Sequence, residues 1–158
     1  KYTGVLYPYN YEVFRRRLAD NHLEKQALEF HRATAAWSAL CYKADIEMCM
    51  RTPGMGGFQL LDLIDYPGQG SALVGLMDVF WKNKGGMSED TFAGFCNKVV
   101  PMAEFKAYCW SNEEEFQARL IVANYDEADL KELPLRWKLE TVTGKVVAKG
   151  EQIVSVKQ

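Results

Sequence analysis

The chain contains no C-x-x-C pair. Its four cysteines, Cys41, Cys49, Cys96 and Cys109, stand apart, which excludes a zinc ribbon and a thioredoxin-like dithiol. Isolated thiols in apolar sequence are expected to act as small buried hydrophobes. Histidine is scarce: His22 and His31 are the two present, with no H-E-x-x-H or His/Cys ligand spacing around them, so no metal site and no cofactor is expected. No apolar run approaches the ~18 residues that a membrane-spanning helix needs. An excess of one charge is missing too. The 19 Lys+Arg against 21 Asp+Glu leave a net charge of -2, which gives no broad attraction to nucleic acid or to an anionic membrane. There is no apolar leader after Lys1, and a chain opening this way is expected to be a processed product or a piece of something longer.

What is present is enough for a core. Of the 158 residues, 48% are hydrophobic and 13% aromatic, which excludes disorder. Residues 1–9 (KYTGVLYPY) are broken by Gly4 and Pro8 and read as irregular. Asn10 as N-cap and Glu12 in the first turn predict a helix to about Ala19. Its Arg15, Arg16 and Arg17 read as a solvated face or a phosphate grip, and the run is too short for a nucleic-acid patch. A longer helix is predicted from about Glu24 to Met50. Phe30, Ala33, Trp37, Leu40, Cys41, Ala44 and Met48 form its core-facing stripe, and Pro53-Gly54 end it.

The stretch GGFQLLDLIDY (56–66) carries Phe58, Leu60, Leu61, Leu63 and Ile64 in a nearly continuous apolar run bounded by glycines and Pro67. Such a run reads as a strand covered on both faces, as in a parallel sheet. A Gly-rich loop follows over 67–87, and Ser88 is predicted to cap a helix over 88–100 that Pro101 closes. Beyond 101 the period changes to two. Phe105/Ala107/Cys109, Phe116/Ala118/Leu120/Val122 and Leu135/Trp137/Leu139 alternate with polar or outward residues. Thr143-Gly144 reads as a turn, and 146–147 and 153–156 as further strands. The predicted organisation is therefore α/β over 1–100, followed by an all-β, immunoglobulin-like sandwich over 101–158.

Both halves look incomplete. A strand buried on both faces needs hydrogen-bonded neighbours on both edges, and residues 1–55 offer none. The sandwich musters about five strands, against seven for the complete fold. The expectation is a slice through a longer protein.

At GGFQLLDLIDYPGQG the chain resembles the last barrel strand of family 2 glycoside hydrolases, the β-galactosidase and β-glucuronidase family. Many members have Gly-Gly-Phe, a few residues, then Trp-Asp-Trp and a further Asp. Gly56, Gly57 and Phe58 match, and Asp62 and Asp65 fall at the two acidic positions. Leu61 and Leu63 stand where the tryptophans would be, so the usual sugar-stacking contact is not carried over. KYTGVLYPYN, IEMCMRTPG and PGQGSALVGLMDVFWKNKG are also similar to a subgroup of these hydrolases, and the likeness covers roughly residues 1–110. The resemblance implies the end of a (β/α)8 TIM barrel followed by a partial immunoglobulin-like sandwich. It implies a parent enzyme cleaving terminal β-glycosidic bonds by a retaining, two-glutamate mechanism, with carbohydrate as substrate and the remainder of the parent chain as partner. Retention requires two carboxyl groups ~5–5.5 Å apart. In this family both are glutamates, on the fourth and seventh barrel strands, ahead of this stretch. The glutamates here fall on predicted helices or around the sandwich, so no catalytic residue is carried over, and this chain alone is expected to be inert. The resemblance also implies work outside the cytoplasm, periplasmic or extracellular in a bacterium.

Barrel enzymes gather their functional groups at the carboxyl ends of the strands and in the loops beyond. That position makes Asp62, Asp65, Tyr66, Gln69 and Trp81 the candidate substrate-binding residues. A carboxylate can accept from two sugar hydroxyls, and an aromatic face can stack on a pyranose ring. Each has a structural alternative: Asp62 as a buried hydrogen-bonded group, Asp65 as a cap of the PGQG turn, Tyr66 and Trp81 as core. A different functional class, a non-catalytic carbohydrate-binding or interaction module, would need an exposed aromatic row on one sheet face. The outward positions Lys106, Arg119, Arg136 and Lys138 are charged instead.

Overall fold

The computed structural model describes residues 7, 9–66 and 73–158. The chain divides into two compact units, Lys1–Ala93 and Gly94–Gln158. Among the described residues the architecture is mixed α+β: helices first, then two antiparallel two-stranded sheets, and no barrel is formed.

In the first unit, α1 spans Tyr9–Asp20, with Glu12 in its positive first turn, where it also accepts from the Tyr7 hydroxyl. It ends in a Schellman arrangement. Leu23 N donates to Leu18 O at 2.8 Å and His22 N to Ala19 O at 3.0 Å, while His22 takes the left-handed backbone at φ 56 that usually calls for glycine. A 3-10 turn, Glu24–Gln26, leads into α2, Ala27–Arg51. Pro53 forces Thr52 into extended backbone (ψ 115) and so stops α2, as the sequence predicts.

Which face of α2 is buried differs from expectation. Ala39 and Ile46 are buried, whereas the predicted core stripe lies open: Phe30, Trp37, Leu40 and Met48 are all exposed, Trp37 at 68%. The small residues Ala35 and Ala39 let neighbouring chain approach closely, and Gly86 exploits it. A Cβ on Gly86 would stand 2.6 Å from Ala35 O. Among the described residues of this unit, nothing covers Phe30, Trp37, Leu40 or Met48.

The strand predicted over 58–64 is also corrected. The segment is neither a ladder strand nor a helix. It is irregular chain that bends at Leu61 and Leu63, with Asp62 in left-handed backbone between them, and among the described residues its β-bridge pairs Ile64 in parallel with Met77, which in turn bridges Asn83 antiparallel. Phe58, Leu61 and Leu63 are exposed, Leu61 at 77%. The physical reason is the want of neighbouring strands: among the described residues the backbone bonds of this stretch are those of the Ile64–Met77 bridge. The predicted helix over 88–100 shrinks to α3, Glu89–Ala93. Ser88 caps it as expected, its Oγ accepting from Thr91 N at 3.1 Å. Val99 and Val100, β-branched, leave the helix for a strand that also contains Pro101.

In the second unit, β1 (Val99–Phe105) pairs with β2 (Ala118–Asn124), and β3 (Leu130–Glu140) with β4 (Val146–Val156). The two short strands expected at 146–147 and 153–156 are one continuous β4. Val100, Met102 and Ala123 share the buried face of the first sheet, with Val100 opposite Ala123. On the second, Leu133, Leu135, Trp137 and Leu139 alternate along one face. The Trp137 indole lies over Gly150, where a Cβ would stand 2.7 Å from the ring. The opposite face carries the Arg136–Glu151 ion pair at 2.8 Å. The Thr143-Gly144 turn forms as predicted, with Gly144 at φ 82 and its N–H bonded to Thr141 O at 2.9 Å. A bulge between Leu130 and Leu133 puts Glu132 at φ 52.

The buried apolar side chains among the described residues are few: Ala39 and Ile46 in the first unit; Phe95, Val100, Met102 and Ala123 in the second. Accessible surface totals 12569 Å², against about 9700 Å² for two separately folded bodies of these lengths by mass scaling. Large hydrophobic side chains among the described residues stand open, Trp37, Leu61, Trp81 and Tyr108 among them. The cysteines share this fate. All four are free thiols, Cys41 and Cys109 are exposed, and none is buried as the sequence suggested. Burial does push the half-covered Cys96 thiol above its ordinary value.

Candidate functional site

Asp65, one of the candidate residues, lies in a small backbone assembly packed against α2. Three stretches meet there: 63–65, 73–77 and 82–84. Asp65 N donates to Met77 O at 3.0 Å, Met77 N to Leu63 O at 3.2 Å, and Lys84 N to Leu76 O at 3.2 Å. Two side chains of α2 fasten the assembly. The Tyr42 hydroxyl donates to Val74 O at 3.0 Å, and His31 Nε2 lies 3.1 Å from Lys84 O. Gly75 makes the closeness possible, because a Cβ there would stand 2.4 Å from Ile64 C and 2.5 Å from Asp65 N. Beside the assembly a cleft of about 260 Å³ opens between His31, Thr34, Ser38, Val74 and Lys84.

Asp65 lies at the centre, 2% exposed. Its Oδ1 accepts from Gly75 N at 3.0 Å and from Lys84 Nζ at 2.7 Å. The same ammonium donates to Leu73 O at 3.0 Å. The PGQG turn (67–70) that Asp65 is expected to cap lies outside the described residues; the bonds described for Asp65 go to Gly75 and Lys84.

Asp62 is half-buried and adopts left-handed backbone, φ 62. It lies near enough to the Tyr42 hydroxyl to act on it. Burial raises the Tyr42 phenol above its ordinary pKa, and the Asp62 and Asp65 carboxylates add to the shift. Tyr66 and Trp81 are exposed, at 54% and 66%, and so are not core. Trp81 stands at φ 64 in a tight turn, Trp81 N bonding Asp78 O at 3.0 Å, while Asp78 Oδ1 takes the N–H groups of Phe80 and Lys82. A bulky side chain in left-handed backbone is uncommon and strained. Gln69 lies outside the described residues.

Tyr42, Gly75 and Lys84 were not singled out in the sequence. Tyr42 sits off the α2 stripe, and Lys84 is one cation in a Gly/Asn-rich loop, so periodicity and motif both pass over them. A second opening of about 580 Å³ borders α1, lined by Glu12, Arg15, Arg16 and Glu24. Its mixed charge fits the solvated-face reading of the arginine run. Among the described residues no group of three or more His, Cys, Asp or Glu is placed to hold a metal, and no helix is long and apolar enough to cross a membrane. No protein-family model and no curated protein matches this chain.

Proposed function

We propose that the chain is the closing part of the catalytic barrel of a family 2 glycoside hydrolase, followed by the first strands of the next sandwich domain. The parent enzyme cleaves terminal β-glycosidic bonds with retention, and its two glutamates lie on barrel strands outside this sequence. The observation that carries this reading is the state of Gly56–Ile64. The family-like motif is apolar, lies exposed at Phe58, Leu61 and Leu63, bends about Asp62, and among the described residues makes one parallel bridge, at Ile64. An apolar segment that belongs between barrel strands would be left uncovered in this way where those strands are missing.

Further observations support it. Asp62 and Trp81, two of the five candidate residues, are among the non-glycine positions of positive φ in the described chain. Strained backbone of this kind clusters at functional sites. The apolar face of β3 is half-open at Leu133, Trp137 and Leu139 and aliphatic but for Trp137, which fits an uncovered sandwich layer better than an aromatic glycan platform. Asp62 at the carboxyl end of the segment, beside the exposed Tyr66, would receive sugar hydroxyls.

The test is hydrolysis of a panel of nitrophenyl β-glycosides by the full-length parent, with the anomer of the first product read by NMR. Retained configuration on a β-galactoside or β-glucuronide is expected, with no turnover by the 158-residue chain alone. Inversion, or purity-controlled turnover by the chain alone, refutes the reading.

A further inference from the structure

Among the ion pairs of the described residues, Lys84–Asp65 holds the most deeply buried carboxylate, with Asp65 at 3% side-chain exposure against 10% for Glu47. A buried pair of this kind contributes little net stability, because desolvation of both charges offsets their attraction. The Gly75 N–H needs an acceptor at Asp65, and a neutral amide would serve it equally well. The lysine therefore calls for a separate account. Its ammonium does what no neutral side chain here does. It donates to Asp65 Oδ1 at 2.7 Å and to Leu73 O at 3.0 Å, joining two segments eight positions apart through one point. Tyr42, donating to Val74 O, pins the second segment to α2 from the other side. Asp62 and Tyr66 flank the clamped stretch 63–65, so their aim depends on where that stretch is held.

We propose that Lys84 is a positioning residue of the sugar site: by tying the Asp65 carboxylate to the Leu73 carbonyl it sets the aim of Asp62 and Tyr66 toward substrate. The proposal rests on the hydrolase reading above. Lys84 touches no substrate itself.

The test uses the full-length parent with Lys84→Met and the double variant Asp65→Asn/Lys84→Met. The single variant leaves Asp65 buried and unpaired and is expected to lose folded yield. The double variant removes both charges yet keeps an acceptor for Gly75 N, so folded yield returns. In that double variant KM for the preferred nitrophenyl glycoside is expected to stay at least tenfold above wild type, with kcat within threefold. Amide exchange at Gly75 and Met77 is expected to be at least tenfold faster than in wild type. Return of KM to the wild-type value overturns the proposal, since Lys84 would then merely neutralise a charge. Unchanged amide exchange overturns it as well, since the clamp would hold nothing. A parent that turns over no glycoside overturns the hydrolase reading and the sugar-directed role with it. The amide-exchange arm identifies that failure separately, because it reads the clamp without substrate.

Discussion

Gly75→Ala is the sharpest structural perturbation available in the first unit. The added Cβ would meet Ile64 C at 2.4 Å, Asp65 N at 2.5 Å and Ile64 Cα at 2.8 Å, all backbone atoms that no rotamer change can move aside. Relief requires the 73–77 stretch to lift away from 63–65. That movement breaks the Gly75 N–Asp65 bond and the two backbone bonds of the Ile64–Met77 bridge. A bond to a charged acceptor contributes about 1.5–3 kcal/mol and a neutral one about 1 kcal/mol, so the loss comes to about 3–5 kcal/mol. Gly56 is the control. It has open space around it and ordinary backbone, so Gly56→Ala is expected to be neutral or stabilising by up to about 1 kcal/mol. Urea unfolding followed by far-UV circular dichroism measures both. A Gly75→Ala variant within 1 kcal/mol of wild type would refute the close packing on which the site description stands.

The remaining predictions concern Tyr42 and the open apolar surface. Tyr42→Phe removes the donor to Val74 O and should cost about 1 kcal/mol at neutral pH in the same unfolding assay. The phenol's pKa is raised in the folded state. Its linked stability is therefore complete below the ordinary phenol value, about 10, and is lost as pH climbs through the folded value; the Phe variant should show a shallower alkaline decline. Trp37→Lys and Leu61→Lys alter side chains 68% and 77% exposed, so each should change stability by less than about 0.5 kcal/mol. Together they should reduce self-association of the isolated chain by sedimentation velocity. Unchanged self-association would mean that these surfaces are not sticky.

Local signals in the sequence were readable where local physics decides. Helix periodicity located α1 and α2, the Ser88 cap located α3, Pro53 marked the end of α2, and Thr143-Gly144 marked the β3–β4 turn. The errors arose where a partner decides. The stripe Phe30–Trp37–Met48 has the spacing of a buried face, yet α2 buries Ala39 and Ile46, because burial follows the neighbour that is present. Phe58–Ile64 has the composition of an interior strand, but ladder pairing needs other strands beside it. The helix expected over 88–100 ends early because Val99 and Val100 are drawn into β1 by pairing with Asn124 and Ala123. Within the site, Asp62 and Asp65 were marked by their place in a motif. Lys84 and Tyr42 were missed because their bonds to Asp65 and Val74 span 19 and 32 positions, beyond any periodic pattern.

The central claim of the proposed function is that Phe58–Ile64 becomes a barrel strand in the proposed parent enzyme, paired with neighbours outside this sequence. Amide hydrogen exchange over residues 58–64, compared between the isolated chain and the full-length parent, tests it most directly. The account predicts that Leu60, Leu61 and Leu63 exchange nearly as fast as unstructured peptide in the isolated chain, and at least a thousandfold more slowly in the parent, a change equivalent to about 4 kcal/mol of protection. Equal exchange in the two, whether fast or slow, would contradict it.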